Sequence, residues 1–522
     1  MNAGADQRRS LALIAGNSGW NLLAFLLGIA ANLVALPFVI RHIGISQFGI
    51  CGLLLALATP LTLIGTTLGL STAQALARLR SQSDARAVTD FCATITAIGL
   101  VVVGVTGIAL ALIAPLIARA LYPGYQPVMH SIGLISATMA CGWIAQQLSL
   151  LMQGVHVAAQ AYRRIATING FGAVAAPLLI FVIVSAMPDV EGYILALALG
   201  YGLITLFWLM STASSFRWSL VRPRVHRVAT RSIAVFTGWQ TLGQIAANVA
   251  NQIDRYLLGA WVGPNAVGYY NVSQRLQEVS YIGVLKAGEA LFPQFSISSA
   301  ESVERQAKLF FRASWMVNLV AAMLMAPLLP WAHSLLSVWV GSASAQYAAP
   351  VLQVLTVGGL FSCAGWVFSL YALGIAKARY TAMLSISGAF ITALASAFLI
   401  HRFGMRAAGV GGVIGMFVNL APMLWLIRRH FGQIAGLGRV CVAVLLPVCT
   451  ALAVAGGLAA IGVPTQNSWP RVIIGYFATS IAVMAAVVLL TALTRQGQDS
   501  LSDLRRLLRM PFAWVADVIL TG

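Results

Sequence analysis

Charge, and acidic charge above all, is what this sequence has least of. Its 522 residues include only 13 Asp and Glu, and charged residues of both signs make up 9%. A soluble chain of this length could not cover its surface with so few. Hydrophobic residues instead reach 59%, with a mean hydropathy of +0.86. Apolar runs of about 20 residues, each long enough to cross ~30 Å of hydrocarbon, recur from end to end. The composition is that of an all-α polytopic membrane protein.

Other absences narrow the chemistry. The six cysteines (Cys51, Cys92, Cys141, Cys363, Cys441, Cys449) stand singly in apolar surroundings, which excludes a disulfide framework or a thiolate metal site. The seven histidines show no ligand spacing, so no metal is expected. No GxxxxGK[ST] phosphate cradle occurs, which argues against ATP hydrolysis, and no cofactor or catalytic residue is expected. Connections between apolar runs are too short to hold a soluble domain.

What is abundant is positive charge, 32 Lys and Arg for a net +19. It lies in short turns between apolar runs, where it sets topology and meets anionic lipid heads, so no nucleic-acid partner is expected. Arg8 and Arg9 precede a run of roughly 30 apolar residues without a small-residue cleavage site, which reads as a retained first helix.

Fourteen spans are expected: 12–40, 47–76, 91–118, 128–153, 165–186, 192–213, 232–261, 267–292, 309–336, 348–373, 381–400, 405–427, 438–461 and 472–493. With a cytoplasmic N-terminus, 24 of the 32 basic residues fall in or at the edge of cytoplasmic segments and five (Arg41, Arg119, Arg402, Arg406, Arg471) in or at the edge of periplasmic turns. That bias predicts both ends in the cytoplasm. The expected organisation is an N-lobe, 1–216, holding spans one to six, and a basic cytoplasmic loop, 217–231. A C-lobe, 232–430, holds spans seven to twelve. Two further spans follow, 431–494, and then a cytoplasmic amphipathic tail, 495–522.

A repeat supports the two lobes. PFVIRHIGISQFGI follows the first span and RYLLGAWVGPNAVGYY the seventh. Gly44 and Gly49 correspond to Gly263 and Gly268, each displaced by 219 positions. GVHVAAQAYRR after span four and GIAKARY after span ten echo each other more weakly. Six spans fit one offset, so spans 1–6 and 7–12 read as two copies in the same orientation. Parallel repeats of this kind build two lobes about an axis along the membrane normal, with the binding site at their interface.

Polar stripes mark the helices that begin each copy. Span seven carries Gln240, Gln244, Asn248, Asn251 and Arg255 on one face, with Asp254 flanking it. Span one carries Asn17, Asn21 and Asn32, and span eight carries Asn271, Arg275, Glu278, Lys286 and Glu289. Such stripes either glue helices together or line a water-filled cavity. Arg255 and Arg275 are both placed about 9–11 Å below the periplasmic surface at ~1.5 Å per residue. Asp254 or Glu278 could therefore neutralise either arginine across the hairpin. A charge alone at the bilayer centre costs ~2.5–3.5 kcal/mol even on the lenient insertion scale, so pairing or water is expected. Asp254 and Arg255 either lock the hairpin or form part of a cationic vestibule. Lys286 and Glu289 either snorkel, pair, or take part in coupling.

The pattern D-R-Y-L-L-G-x-x-x-G-x-x-x-x-G-Y-Y-x-x-x-x-R-L, Asp254 to Leu276, resembles the signature of polysaccharide-type flippases of the MOP (multidrug/oligosaccharidyl-lipid/polysaccharide) exporter superfamily. LPFVIRHIGISQFGI resembles the matching segment of their first hairpin. The resemblance is to Wzx-type flippases. It implies two six-helix lobes, alternating access and outward movement of an undecaprenyl-diphosphate-linked oligosaccharide across a bacterial inner membrane for cell-surface polysaccharide assembly. For such a substrate the polar stripes supply the candidate contacts, Arg255, Arg275, Asn251, Asn248, Gln244, Asn21 and Asn32, with guanidinium forks suited to phosphate oxygens. The expected partners are the lipid-linked oligosaccharide, membrane lipids, and polysaccharide polymerase or export machinery. H+ or Na+ is the coupling ion to expect if transport is ion-driven.

Within the superfamily the rivals are drug antiporters and lipid II flippases. Many of the antiporters place an acid inside the first helix, and span one here has none. Lipid II flippases carry arginines within their first two helices, whereas Arg41 lies at the end of span one. A membrane glycosyltransferase would need acids in the first periplasmic loop, and RHIGISQFGI has none. A polymerase would need a large periplasmic loop, which is also missing.

Overall fold

A computed structural model describes residues 3–81, 85–121, 128, 130–159, 161–215, 248–249, 251–288, 291, 295, 298, 302–375, 378–432, 436–462 and 468–494. Every regular element among them is helical. The chain forms two compact units, the first ending at Val249 and the second beginning at Ala250.

The first unit contains α1 (Ala3–Ala58), α2 (Thr62–Ser81), α3 (Ala85–Leu121), α4 (Ile132–Ala158), α5 (Tyr162–Ala186) and α6 (Val190–Ser215). α1 carries the first span and the start of the second, broken at Gly44, whose φ of 81° lies in the left-handed region. Pro60, in the short 3₁₀ turn Thr59–Leu61, separates α1 from α2. The second unit contains α7 (Ile253–Trp261), α8 (Pro264–Gly288), α9 (Val303–Met325), α10 (Leu328–Val340), α11 (Ser342–Gly374), α12 (Ala378–Phe403) and α13 (Val410–Phe431). After the short turn Leu437–Val440 and a π-helical segment, Cys441–Leu445, come α14 (Leu446–Ile461) and α15 (Trp469–Ala492).

Where they are described, the expected spans are helical through their middles, with breaks at the turn holding Pro60 in span two and at Ala326–Pro327 in span nine, and span twelve becomes α-helical only after Gly409. Among the described residues, eleven helices are long and apolar enough to cross a membrane. Three differences separate eleven from fourteen. Spans one and two merge into the continuous apolar stretch Leu27–Gly69. Most of span seven lies outside the described residues. Span eight, α8, is fully helical but too rich in Asn, Gln, Arg and Glu to count by hydropathy.

The same helix pairs pack in each unit: first with fifth, second with fourth, third with fourth, fourth with sixth, fifth with sixth. In the second unit α9 and α10 together take the third helix's place. Small residues permit these approaches, as expected where lipid supplies no hydrophobic drive between helices. A Cβ on Gly154 of α4 would meet the Gly69 carbonyl oxygen of α2 at 2.3 Å, and one on Gly142 would meet the Ala198 backbone of α6 at 2.7 Å. In the second unit Gly411 faces Ser396, and Gly415 faces Thr392.

α14 and α15 stand outside the repeat and dock on α9 and α10. Pro447 lacks the N–H that would bond the Ala443 carbonyl, leaving that group orphaned in an apolar setting. Buried Asn318 of α9 fills the gap, its Nδ2 donating to Val444 O at 3.2 Å and reaching Ala443 O at 3.5 Å. Two indole N–H groups fasten α15: Trp315 donates to Thr491 Oγ1 at 3.1 Å and Trp331 to Thr479 Oγ1 at 3.0 Å.

Candidate functional site

The α7–α8 hairpin turns at Gly263, with φ at 114°, and Pro264 then opens α8 at a position where its missing N–H costs nothing. Gly263 and Gly44 are the two break residues that the repeat pairs, and both have positive φ. No side chain could take these conformations without strain.

The hairpin gathers the charges. Asp254 is 5% exposed, and its Oδ2 accepts the backbone N–H of Gly409 at 3.0 Å and the Tyr270 hydroxyl at 3.4 Å. Gly409 is the left-handed N-cap of α13, so the carboxylate sits at the positive end of that helix. The buried Ser396 hydroxyl of α12 lies beside the same carboxylate. Asp254 thus ties α7 to α8 and α13.

The ion pairs expected across the hairpin do not form among the described residues. Asp254 is occupied by Gly409 and Tyr270 rather than by Arg255 or Arg275. Glu278 does meet Arg275, but within α8, three residues apart, at 3.6 Å and with both side chains over a third exposed. Such an exposed pair holds weakly. Glu278 also accepts from Gln274 Nε2 at 2.9 Å.

Arg255 is half-buried and donates through Nη1 to Gln252 Oε1, an amide one turn back on the same segment. Among the described residues no carboxylate lies within salt-bridge distance of it, and its buried Nε has no partner. Asn271 is 7% exposed with both amide atoms unpaired, and Gln274 Oε1 is likewise unpaired. The hairpin therefore holds a cationic group and several amide atoms whose hydrogen-bonding capacity other side chains leave unused. These atoms are buried, so the hairpin carries unused hydrogen-bonding capacity in its interior.

The remaining expected residues divide. Asn32 spends its Nδ2 on the Gly28 carbonyl of its own helix, at 2.8 Å. Asn248 is half-buried and Asn251 exposed, at the junction leading to α7. Lys286 is exposed near the end of α8. Asn17 and Asn21 fall on the α1 backbone, with their side chains outside the description. Gln240, Gln244 and Glu289 lie outside the described residues. Sequence reasoning missed Tyr270, Gln252, Ser396 and Gly409 as partners. Tyr270 stands in the G-Y-Y of the hairpin pattern and was within reach; the distant Gly409 and Ser396 carried no local signal.

A family model for polysaccharide biosynthesis proteins matches residues 14–299, over half of the chain and all of this hairpin. The chain belongs to the polysaccharide biosynthesis protein family. This family member is 23% identical over 199 residues to a Shigella flexneri protein assigned as an O-antigen transporter. That match covers 37% of the chain and 46% of the relative, so the chain spans about half the length of the curated relative it matches. Among solved structures, the lipid II flippase MurJ in an inward closed conformation aligns with a TM-score of 0.71 at 10% identity, over 90% of this chain and 97% of that one. An inward-facing multidrug resistance MATE family transporter of the MOP superfamily aligns with a TM-score of 0.66 at 16% identity, over 80% and 100%. At those identities the likeness is one of fold alone, which this multi-pass polysaccharide biosynthesis protein shares with both transporters.

Proposed function

We propose that the protein is a non-enzymatic flippase of the bacterial inner membrane. It carries an undecaprenyl-diphosphate-linked oligosaccharide outward by alternating access, for assembly of a cell-surface polysaccharide. The carrying observation is Arg255: a guanidinium within the family-matched region, held by an amide and left without a carboxylate. A planar fork of donors suits diphosphate oxygens, and full neutralisation by a protein carboxylate would remove its use.

Arg275 takes the second phosphate contact in this reading. Glu278 offsets it only weakly, which keeps the site from trapping an anion it must release. The unpaired amide atoms of Asn271 and Gln274, buried in this conformation, would offer hydrogen bonds to sugar hydroxyls or water once the hairpin opens during transport. Asp254 serves structure in this reading: its Oδ2 is taken by Gly409 and Tyr270, while its buried Oδ1 has no partner.

The test is reconstitution of the purified full chain in vesicles loaded on one leaflet with a lipid-diphosphate oligosaccharide. Appearance of the glycan on the opposite leaflet is the expected result. Failure with that lipid, but movement of lipid II or of a cationic drug against an ion gradient, would replace the reading with one of its superfamily rivals.

A further inference from the structure

Far from the hairpin along the second unit, the ends of α11 and α13 enclose a cavity of ~160 Å³. The lysine and arginine bias assigns this end to the cytoplasm. Its walls are apolar over most of their area, from Phe368, Ala372 and Ile375 of α11 and Leu426, Ile427 and Phe431 of α13. One wall is polar. Tyr371 donates its hydroxyl to Gln306 Oε1 of α9 at 2.8 Å, and its oxygen meets His430 Nε2 of α13 at 3.0 Å. These bonds fix the polar wall across three helices.

The charge at the mouth is of one sign. Arg429 lines the cavity, with its guanidinium 5.2 Å from the Trp425 ring centroid, and Arg428 precedes it on the same turn. Both are exposed, and among the described residues neither has a carboxylate within salt-bridge distance. Glu304, at the start of α9, is taken by Lys308 at 3.1 Å. Positive-inside topology accounts for basic residues at this membrane face, but not for an apolar cavity beneath them. An apolar cavity under an aromatic-supported guanidinium, at the depth of lipid heads, matches an amphiphile with an anionic head and a hydrocarbon chain. The volume equals that of about five water molecules, room for a phosphate and a few methylenes but not for a glycan.

We infer that this cavity is a binding site for an anionic phospholipid of the cytoplasmic leaflet, with Arg429 as its phosphate partner and the α11–α13 pocket receiving the start of its chain. The lipid would bridge the cytoplasmic ends of these helices, and the protein's stability would then depend on anionic lipid whatever its transported substrate. This goes beyond the proposed transport function and does not require it.

The experiment uses the full chain in a neutral detergent, followed by thermal melting with added short-chain lipids. Dioctanoyl phosphatidylglycerol should raise the melting temperature in a saturable way, and dioctanoyl phosphatidylcholine and inorganic phosphate should not. Arg429→Gln should leave the lipid-free melting temperature unchanged and weaken the apparent affinity for phosphatidylglycerol about 5-fold, the change expected for one basic residue at a membrane surface. Arg471→Gln, an exposed arginine at the other membrane face, should not weaken it. Equal protection by both phospholipids would overturn the inference, as would protection by phosphate alone or an undiminished response in Arg429→Gln. Protection by a polyprenyl phosphate without protection by phosphatidylglycerol would assign the pocket to the lipid carrier and overturn it too.

Discussion

The Asp254 carboxylate accepts the backbone N–H of Gly409, 155 residues further along the chain, at the N-terminus of α13. One buried acid thereby closes the second unit on itself. Asp254→Ala should remove both this bond and that of Tyr270 and lower stability by about 1–2 kcal/mol, read as a fall in melting temperature in detergent. Asp254→Asn keeps an acceptor oxygen and should lose less. A double charge swap, Asp254→Arg with Arg275→Asp, should fail to restore folding because the two side chains do not pair. Recovery by the swap would show that they do.

Gly44 and Gly263 hold the same place in the two copies and both have positive φ, 81° and 114°, with open space where a Cβ would stand. The cost of a side chain there is conformational alone. Gly44→Ala and Gly263→Ala should each destabilise by roughly 1–2 kcal/mol. Gly104→Ala and Gly133→Ala, on helices and equally uncrowded, should be neutral or stabilising. Equal effects at all four positions would remove the backbone argument.

Close helix approach gives a sharper case. Gly154→Ala sets a methyl 2.3 Å from the Gly69 carbonyl oxygen, a backbone atom that cannot swing aside. Helices α2 and α4 would have to separate, so this variant should lose folded protein more severely than either turn glycine. The comparison is read from abundance and melting temperature. A Gly154→Ala protein as stable as wild type would contradict the packing of α2 on α4.

The spans were legible because lipid imposes one strong rule, about 20 apolar residues per crossing; the polar span eight departs from it and is helical all the same. The repeat was legible at Gly44 and Gly263 because positive φ restricts the residue type there, whereas Gly49 and Gly268 lie in helix and carry no such requirement. Pairings between distant segments were not legible. Nothing near Asp254 announces Gly409, and nothing near Asn318 announces the carbonyl left open by Pro447. The cross-hairpin ion pairs were expected because charges at matching depth seemed to need one another. Backbone N–H groups at a helix start and the amide of Gln252 serve instead.

The basic bias fixes a further expectation. Reporter fusions within 217–231 and after Thr494 should both report the cytoplasm, and one at 402–406 the periplasm. A periplasmic signal from either of the first two would break the fourteen-span order and move the inferred lipid pocket to the other leaflet.

The transport claim rests most directly on Arg255, and the measurement is glycan flipping by the reconstituted protein carrying Arg255→Ala, beside Arg255→Lys. Neither should disturb abundance or melting temperature much, because Arg255 holds only a neighbouring amide. Arg255→Ala should abolish flipping of the lipid-diphosphate oligosaccharide, and Arg255→Lys should restore part of it, since an ammonium supplies charge without the two-pronged donor geometry. Flipping by Arg255→Ala at the wild-type rate would contradict the account.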